Sequence, residues 1–161
     1  MKVTVRKATT QDYEPLLELF DLVDTLHRHN LPNIFQKPPG PARDQDYFKS
    51  LLVDPETVLY LAEIENDIAG FILAIIRETP PIPVFIPARL ALVTDISVKK
   101  EFRRRGIGQQ LVNKVHSWAE IRGASAVEIT VYAFNQDSLE FYKTIGYETI
   151  SLRMRFPLNQ G

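Results

Sequence analysis

The order of elements legible in this chain predicts a mixed α/β domain, one sheet with helices on both faces. Three observations carry that expectation. Apolar and polar residues alternate over 3–6 and again over 126–132, as in half-buried strands. Residues 90–98 are almost wholly apolar, as a central strand must be, and lead through a basic turn into a helix-like stretch. Finally, 161 residues with 45% apolar composition suffice for one core, so residues 1–161 are expected to form one domain.

Taken in order, residues 3–6 read as the first strand. Thr9, Thr10, Gln11 and Asp12 then look like a helix start, with a threonine to cap and an acid near the positive helix end. Tyr13, Leu16, Leu17, Phe20, Val23 and Leu26 recur at helical spacing, which gives about four turns. Residues 30–41 hold four prolines and a glycine and read as a loop, and 44–52 as a second, short helix. Residues 58–64 and 68–76 form a strand pair, turned at Glu65, Asn66 and Asp67. Four more prolines keep 79–87 out of any central strand. The apolar strand 90–98 follows. Ile107, Leu111, Val115, Trp118 and Ala119 mark one helix face, with Gly123 as its stop. A strand over 126–132 precedes a helix over 137–145 that ends at Gly146, and 149–156 reads as a final strand or pair. The total is six or seven strands and four helices.

Composition narrows the function. The net charge of −1 argues against a chain-wide nucleic-acid or membrane binder. The chain has no cysteine, which excludes disulfides, thiolate metal sites and a cysteine nucleophile within it. No metal site is expected, because His27 and His29, two positions apart, do not share a helix face. No apolar run is long enough to span a membrane and no secretory leader is visible, so a cytoplasmic protein is expected.

Basic charge is instead local. Lys99, Lys100, Arg103, Arg104 and Arg105 occupy five of seven consecutive positions. Arg103-Arg104-Arg105-Gly106-Ile107-Gly108 lies between strand and helix, with Gln109 next. The first amides of a helix lack internal partners and offer free donors to an anion. Glycine admits close approach, and arginine supplies forked donors that suit phosphate oxygens. A Walker A loop would require Gly-Lys-Ser/Thr, which is absent. A dinucleotide fingerprint would require a third glycine where Leu111 stands, although Glu128 lies at a suitable distance downstream. A solvated turn with glycines that merely serve packing is the remaining reading.

Arg103 to Gly108 fits Gln/Arg-x-x-Gly-x-Gly/Ala in full, and here the sequence resembles the GNAT superfamily of acetyl-coenzyme A-dependent N-acetyltransferases. A second match supports it. Asn135-Gln136-Asp137-Ser138-Leu139-Glu140-Phe141-Tyr142-Lys143-Thr144-Ile145-Gly146-Tyr147 is similar to the family's Asn-x-x-Ala-x-x-Phe-Tyr-x-x-x-Gly-Phe segment, with Ser138 and Tyr147 as departures. The resemblance is strong over 93–150 and a matter of pattern before that. It implies a central, mixed but mostly antiparallel sheet that splays between its fourth and fifth strands. It implies acetyl-CoA as co-substrate and direct transfer of acetyl to a primary amine, on a small molecule or a protein. Many relatives dimerise, so a homodimer is open. Two other classes stay open: a non-catalytic acyl-CoA sensor and a nucleic-acid binder that uses the basic cluster.

The resemblance also implies roles. Arg103, Arg104, Arg105, Gly106, Ile107, Gly108 and Gln109 would hold the pyrophosphate. Backbone groups of Ile96, Ser97 and Val98 would pair with the pantetheine arm, as an added strand does. Tyr142 would be the general acid at the sulfur, though it also fits a core aromatic beside Ser138, Phe141 and Ile145. Asn135 would cap its helix and touch the cofactor arm. Asp95 is the odd residue of an apolar strand, where an unpaired carboxylate is costly. It either pairs with a base or works in a cleft, binding substrate or relaying a proton. Glu128 lies across the expected cleft as a substrate-binding candidate, though it also fits a plain solvated acid. His27 and His29 fit the helix dipole or an acceptor pocket.

Overall fold

The computed structural model describes residues 2–159. The chain divides into two compact units, Met1–Thr130 and Val131–Gly161.

The first unit is one five-stranded sheet in sequential order: β1 (Val3–Lys7), β2 (Thr57–Ile64), β3 (Asp67–Glu78), β4 (Arg89–Val98) and β5 (Ala126–Ile129). β1 to β4 pair antiparallel; β4 and β5 pair parallel. Between β1 and β2 lie α1 (Tyr13–Asn30) and α2 (Gln45–Val53), and α3 (Ile107–Ile121) makes the crossover from β4 to β5. The β2–β3 hairpin turns on Glu65 and Asn66, both at positive φ (50° and 68°), the backbone that a tight two-residue turn requires.

Strand periodicity sorts the core onto two faces. Leu59, Leu61, Phe71 and Leu73 pack with Tyr13, Leu16, Leu19 and Phe20 of α1 and Phe48 of α2. The intervening positions Tyr60, Ile72, Ala91 and Val93 are also buried and belong to the opposite face. α3 packs on the sheet through Ile107, Leu111, Val112, Val115, Trp118 and Ala119. The helix start at Thr9 is a full capping box, and Asp12 is drawn in further by Arg6, whose guanidinium donates to both its oxygens at 2.8 and 2.9 Å.

Two ladder features shape β4. A bulge between Leu73 and Ala74 leaves Thr94 without a cross-strand partner, and its hydroxyl donates to Leu73 O at 3.3 Å. The β4–β5 ladder then stops at Val93 opposite Ile129, so residues 94–98 have no β5 neighbour. This is the expected splay, and it shortens the strand expected over 126–132 to 126–129.

In the second unit, α4 (Gln136–Thr144) starts where expected, with the Asn135 side chain accepting from the Ser138 amide at 3.2 Å. The expected last strand or pair over 149–156 forms no strand within the chain, and the described residues hold five strands rather than six or seven. Alternation makes a segment ready to pair; only a neighbour with a free edge makes it a strand.

Candidate active site

β4 carries the site of the first unit along its length. At its far end, Val98 leads into a short 3₁₀ turn, Lys100–Phe102, and then the arginine-glycine turn. Arg104 (φ 63°) and Gly106 (φ 75°) both take left-handed backbone, which reverses the chain into α3. Gly106 is the N-cap of α3 and offers no side chain to it. The amides of Ile107, Gly108 and Gln109 have no acceptor in the chain's own hydrogen-bond network; the first bonded amide is that of Gln110, to Gly106 O at 3.1 Å. A Cβ on Gly106 would meet nothing within 4 Å, so the space beside this N-cap position is open.

The basic cluster divides into parts. Lys99 is held by acids, its ammonium 3.1 Å from Asp67 and 3.8 Å from Glu18. Arg103 turns back to donate from Nε to Val98 O at 3.0 Å, and Arg105 lies over the Phe102 ring at 5.8 Å. Arg103, Arg104 and Arg105 are all exposed around the open amides. Donors, left-handed turn and surrounding guanidinium groups suit a di-anion of the pyrophosphate kind.

Between turn and bulge, the strand edge is available. Lys99 N donates to Ala69 O at 2.8 Å, which sets the phase of the antiparallel ladder. Ser97, opposite Phe71, therefore spends its backbone groups on β3, whereas those of Ile96 and Val98 point to the side that β5 leaves open. Of the three residues expected to receive an extended arm, two face outward and Ser97 is taken up by the sheet.

At the bulge stands Asp95. Its carboxylate lies 3.7 Å from Arg43 Nη2, while Asp24 holds the same guanidinium at 2.7 and 3.2 Å. Arg43 lies 4.7 Å above the Phe20 ring, and its carbonyl accepts from the Tyr13 hydroxyl at 2.8 Å. Burial pushes the Asp95 carboxyl above the usual carboxylate range, and Arg43, with lesser help from Thr94 and His27, pulls it back. α1 supplies Asp24 and His27 one turn apart, with His27 Nδ1 2.8 Å from Val23 O and its ring 5.3 Å from that of Phe35. His29 is exposed and joins no contact of this cluster. Glu128, half-buried on β5, pairs with Leu92, on the ladder side of the bulge.

Arg43 and Asp24 escaped the sequence reading. Arg43 sits in a proline-rich loop just before the α2 cap Asp44, with no periodicity to single it out; only the folded loop carries it to α1 and β4.

The second unit holds the remaining candidates. Tyr142 is 4% exposed, packed edge-on against Phe141 at 5.1 Å and Tyr147 at 5.4 Å. Burial raises its phenol well above the ordinary tyrosine value, so it stays protonated through neutral pH. Its hydroxyl makes no hydrogen bond, yet no fully buried side-chain polar atom is unpaired among the described residues. That oxygen is therefore reachable from outside the fold. Among the described residues no helix is long and apolar enough to cross a membrane.

A family model described as the acetyltransferase (GNAT) family matches residues 20–147. An uncharacterized N-acetyltransferase of Methanocaldococcus jannaschii is 30% identical over 145 residues, covering 90% of this chain and 60% of that protein. An L-ornithine N5-acetyltransferase of Arabidopsis thaliana is 26% identical over 145 residues, covering 89% of this chain and 50% of that one. The chain thus spans little more than half the length of these relatives. In fold it is similar to the crystal structure of a mutant of the BH1408 protein from Bacillus halodurans, with a TM-score of 0.91, 24% identity, and coverage of 97% and 99% of the two chains.

Proposed function

This chain belongs to the acetyltransferase (GNAT) family, and from that premise we propose that it moves an acetyl group from acetyl-CoA to a primary amine, preferentially a cationic one. One observation carries the reading. A single strand, β4, leads from a half-buried carboxylate, past an outward-facing backbone edge, to a turn of open amides and arginines. From Asp95 to Val98 this track is about 10 Å long, at about 3.3 Å per residue. The two units together serve as one N-acetyltransferase domain.

The cofactor's diphosphate takes the amides of Ile107, Gly108 and Gln109 with Arg103, Arg104 and Arg105 around it. Its arm lies along Ile96 and Val98 as an extra strand would. Asn135 contributes to holding that arm. The amide of Val98 is then a donor for the thioester oxygen.

An amine arrives as an ammonium, with a pKa of about 10.4 and no lone pair. Asp95 attracts it and accepts its proton, directly or through a water; His27 and Glu128 complete the acceptor side. Two carboxylates, Asp24 and Asp95, share the one guanidinium of Arg43, so the cluster favours one more positive charge. The neutral nitrogen attacks the carbonyl carbon, the carbon–nitrogen bond forms, and the oxyanion rests on the Val98 amide. Collapse breaks the carbon–sulfur bond, Tyr142 gives its proton to the departing sulfur, and the second proton of the former ammonium leaves the nitrogen through water and restores the tyrosine. No covalent intermediate on the protein is required.

The test is coenzyme A release from acetyl-CoA across polyamines, basic amino acids, aminoglycosides and lysine-bearing or N-terminal peptides. Release with cationic amines, greatly reduced in Asp95→Asn, is expected. Tight cofactor binding with no release for any amine would overturn the enzymatic reading in favour of an acyl-CoA sensor.

A further inference from the structure

Asp24 holds Arg43 by a two-point fork, with Nη1 donating to Oδ2 at 2.7 Å and Nη2 to Oδ1 at 3.2 Å. Nη2 is the contested nitrogen, because it also lies 3.7 Å from Asp95 Oδ1. That separation makes an ion pair but lies beyond hydrogen-bond reach. The loop that carries Arg43 is anchored without the fork. Its carbonyl accepts from the Tyr13 hydroxyl at 2.8 Å, and its guanidinium lies 4.7 Å from the centre of the Phe20 ring. The next residue, Asp44, caps α2 by accepting from the Tyr47 amide at 2.8 Å. With the backbone fixed on both sides, what Asp24 settles is where the guanidinium points. Asp95, its side chain 21% exposed, stays reachable from solvent.

We propose that Asp24 is a positioning residue for the acceptor amine: its fork draws Arg43 away from Asp95 and keeps that carboxylate open to a substrate cation. This rests on the reading that Asp95 receives the amine. Two cations compete for Asp95, the guanidinium of the chain and the ammonium of the acceptor. A planar guanidinium is held best by a bidentate carboxylate, which Asp24 supplies. An ammonium has its donors around one centre and no fork to satisfy. It therefore suits the carboxylate that Arg43 leaves without a hydrogen bond. Remove the charge of Asp24, and a small rotation carries Nη2 onto Asp95 and closes the site from within. Other elements add to the field around the pair. α1 brings His27 one turn after Asp24, and Tyr47 of α2 acts on Arg43. β3 sets the apolar Leu73 opposite Asp95, and Glu128 of β5 pairs with Leu92 on the ladder side.

The experiment is steady-state kinetics with a cationic amine over a pH series, on wild type, Asp24→Asn, Arg43→Gln and the double variant. Asp24→Asn should raise KM for the amine about tenfold and leave acetyl-CoA affinity unchanged. It should also move the acidic limb of kcat/KM to lower pH, because Arg43 then sits on Asp95 and a like charge has gone. In the Arg43→Gln background the same change should raise KM by less than about threefold, since no guanidinium is left to swing. A crystal structure of Asp24→Asn should place Arg43 Nη2 about 2.7–3.2 Å from Asp95. Arg43→Lys, which keeps the charge but loses the fork, gives a second route to the same two shifts. An equal rise in KM in both backgrounds overturns the proposal. So does an Arg43 head that keeps its distance from Asp95 once Asp24 is neutral. An Asp95→Asn enzyme with wild-type turnover overturns instead the acceptor reading beneath it.

Discussion

Arg43 and Asp95 face one another at 3.7 Å, and the guanidinium is already held at 2.7 Å by Asp24. Asp95 is therefore a half-buried carboxylate with an incomplete partner. Its two largest perturbations act in opposite senses: desolvation raises its pKa and the arginine lowers it. Its ionised form exists above that raised pKa, so a reaction that needs the carboxylate speeds up as pH climbs through it. Arg43→Gln removes the lowering influence. The acidic limb of kcat/KM should move to higher pH, while Asp95→Asn should abolish that limb and cost about 100-fold in rate. An acidic limb that stays put in Arg43→Gln would show that another group titrates.

The phosphate turn makes a separate prediction. At φ 75° Gly106 has open space beyond its Cα, so a side chain there meets no wall. Its penalty is left-handed backbone, about 1–2 kcal/mol, plus whatever it does to a ligand. Gly106→Asp should keep the fold yet weaken coenzyme A binding by at least about tenfold, because a carboxylate then faces the diphosphate. Arg104→Gly gives the converse: it relieves a non-glycine residue at φ 63° and should raise thermal stability slightly while lowering affinity. Calorimetric titration alongside thermal melts separates the two effects.

Tyr142→Phe tests the acid. The ring packs against Phe141 and Tyr147, and the hydroxyl holds no hydrogen bond, so stability should change by less than about 1 kcal/mol. Turnover should fall about 100-fold with acetyl-CoA affinity unchanged. Unchanged turnover would return this residue to the core.

Stability at low pH reports on Asp12. Its bonds to Arg6, joined by the Thr9 cap, hold its carboxyl below the usual range. A lowered folded pKa gives stability that is complete above the unfolded value, about 3.9, and disappears as pH falls toward the folded one. Asp12→Asn should cost about 1–2 kcal/mol at pH 7, a figure kept small because Arg6 is a third exposed. The gap between the two proteins should narrow below about pH 4. Chemical denaturation at several pH values measures it.

Local rules made much of this legible in advance. The capping residues at Thr9 and Asn135, the turn at Glu65 and Asn66, and the stop at Gly123 each depend on neighbours within four residues. The strand-to-helix turn from Arg103 to Gly108 is equally local. Patterns confined to a few residues survive without knowledge of the fold.

Other features depended on distant parts of the chain. Residues 149–156 have a strand's alternation, but pairing is a property of two segments, and among the described residues this one makes no backbone hydrogen bond. The same holds for Asp95. That it is an acid in an apolar strand could be read from its neighbours; that its partner is Arg43, 52 positions earlier, could not. The sequence by itself determined the element order and the chemistry of the turn, since backbone sterics and helix-end donors act over short range. Tertiary structure decided where β4 parts from β5, which carbonyls and amides face outward, and which cation answers the half-buried carboxylate. Those outcomes follow from register and desolvation, which exist only once the segments have met.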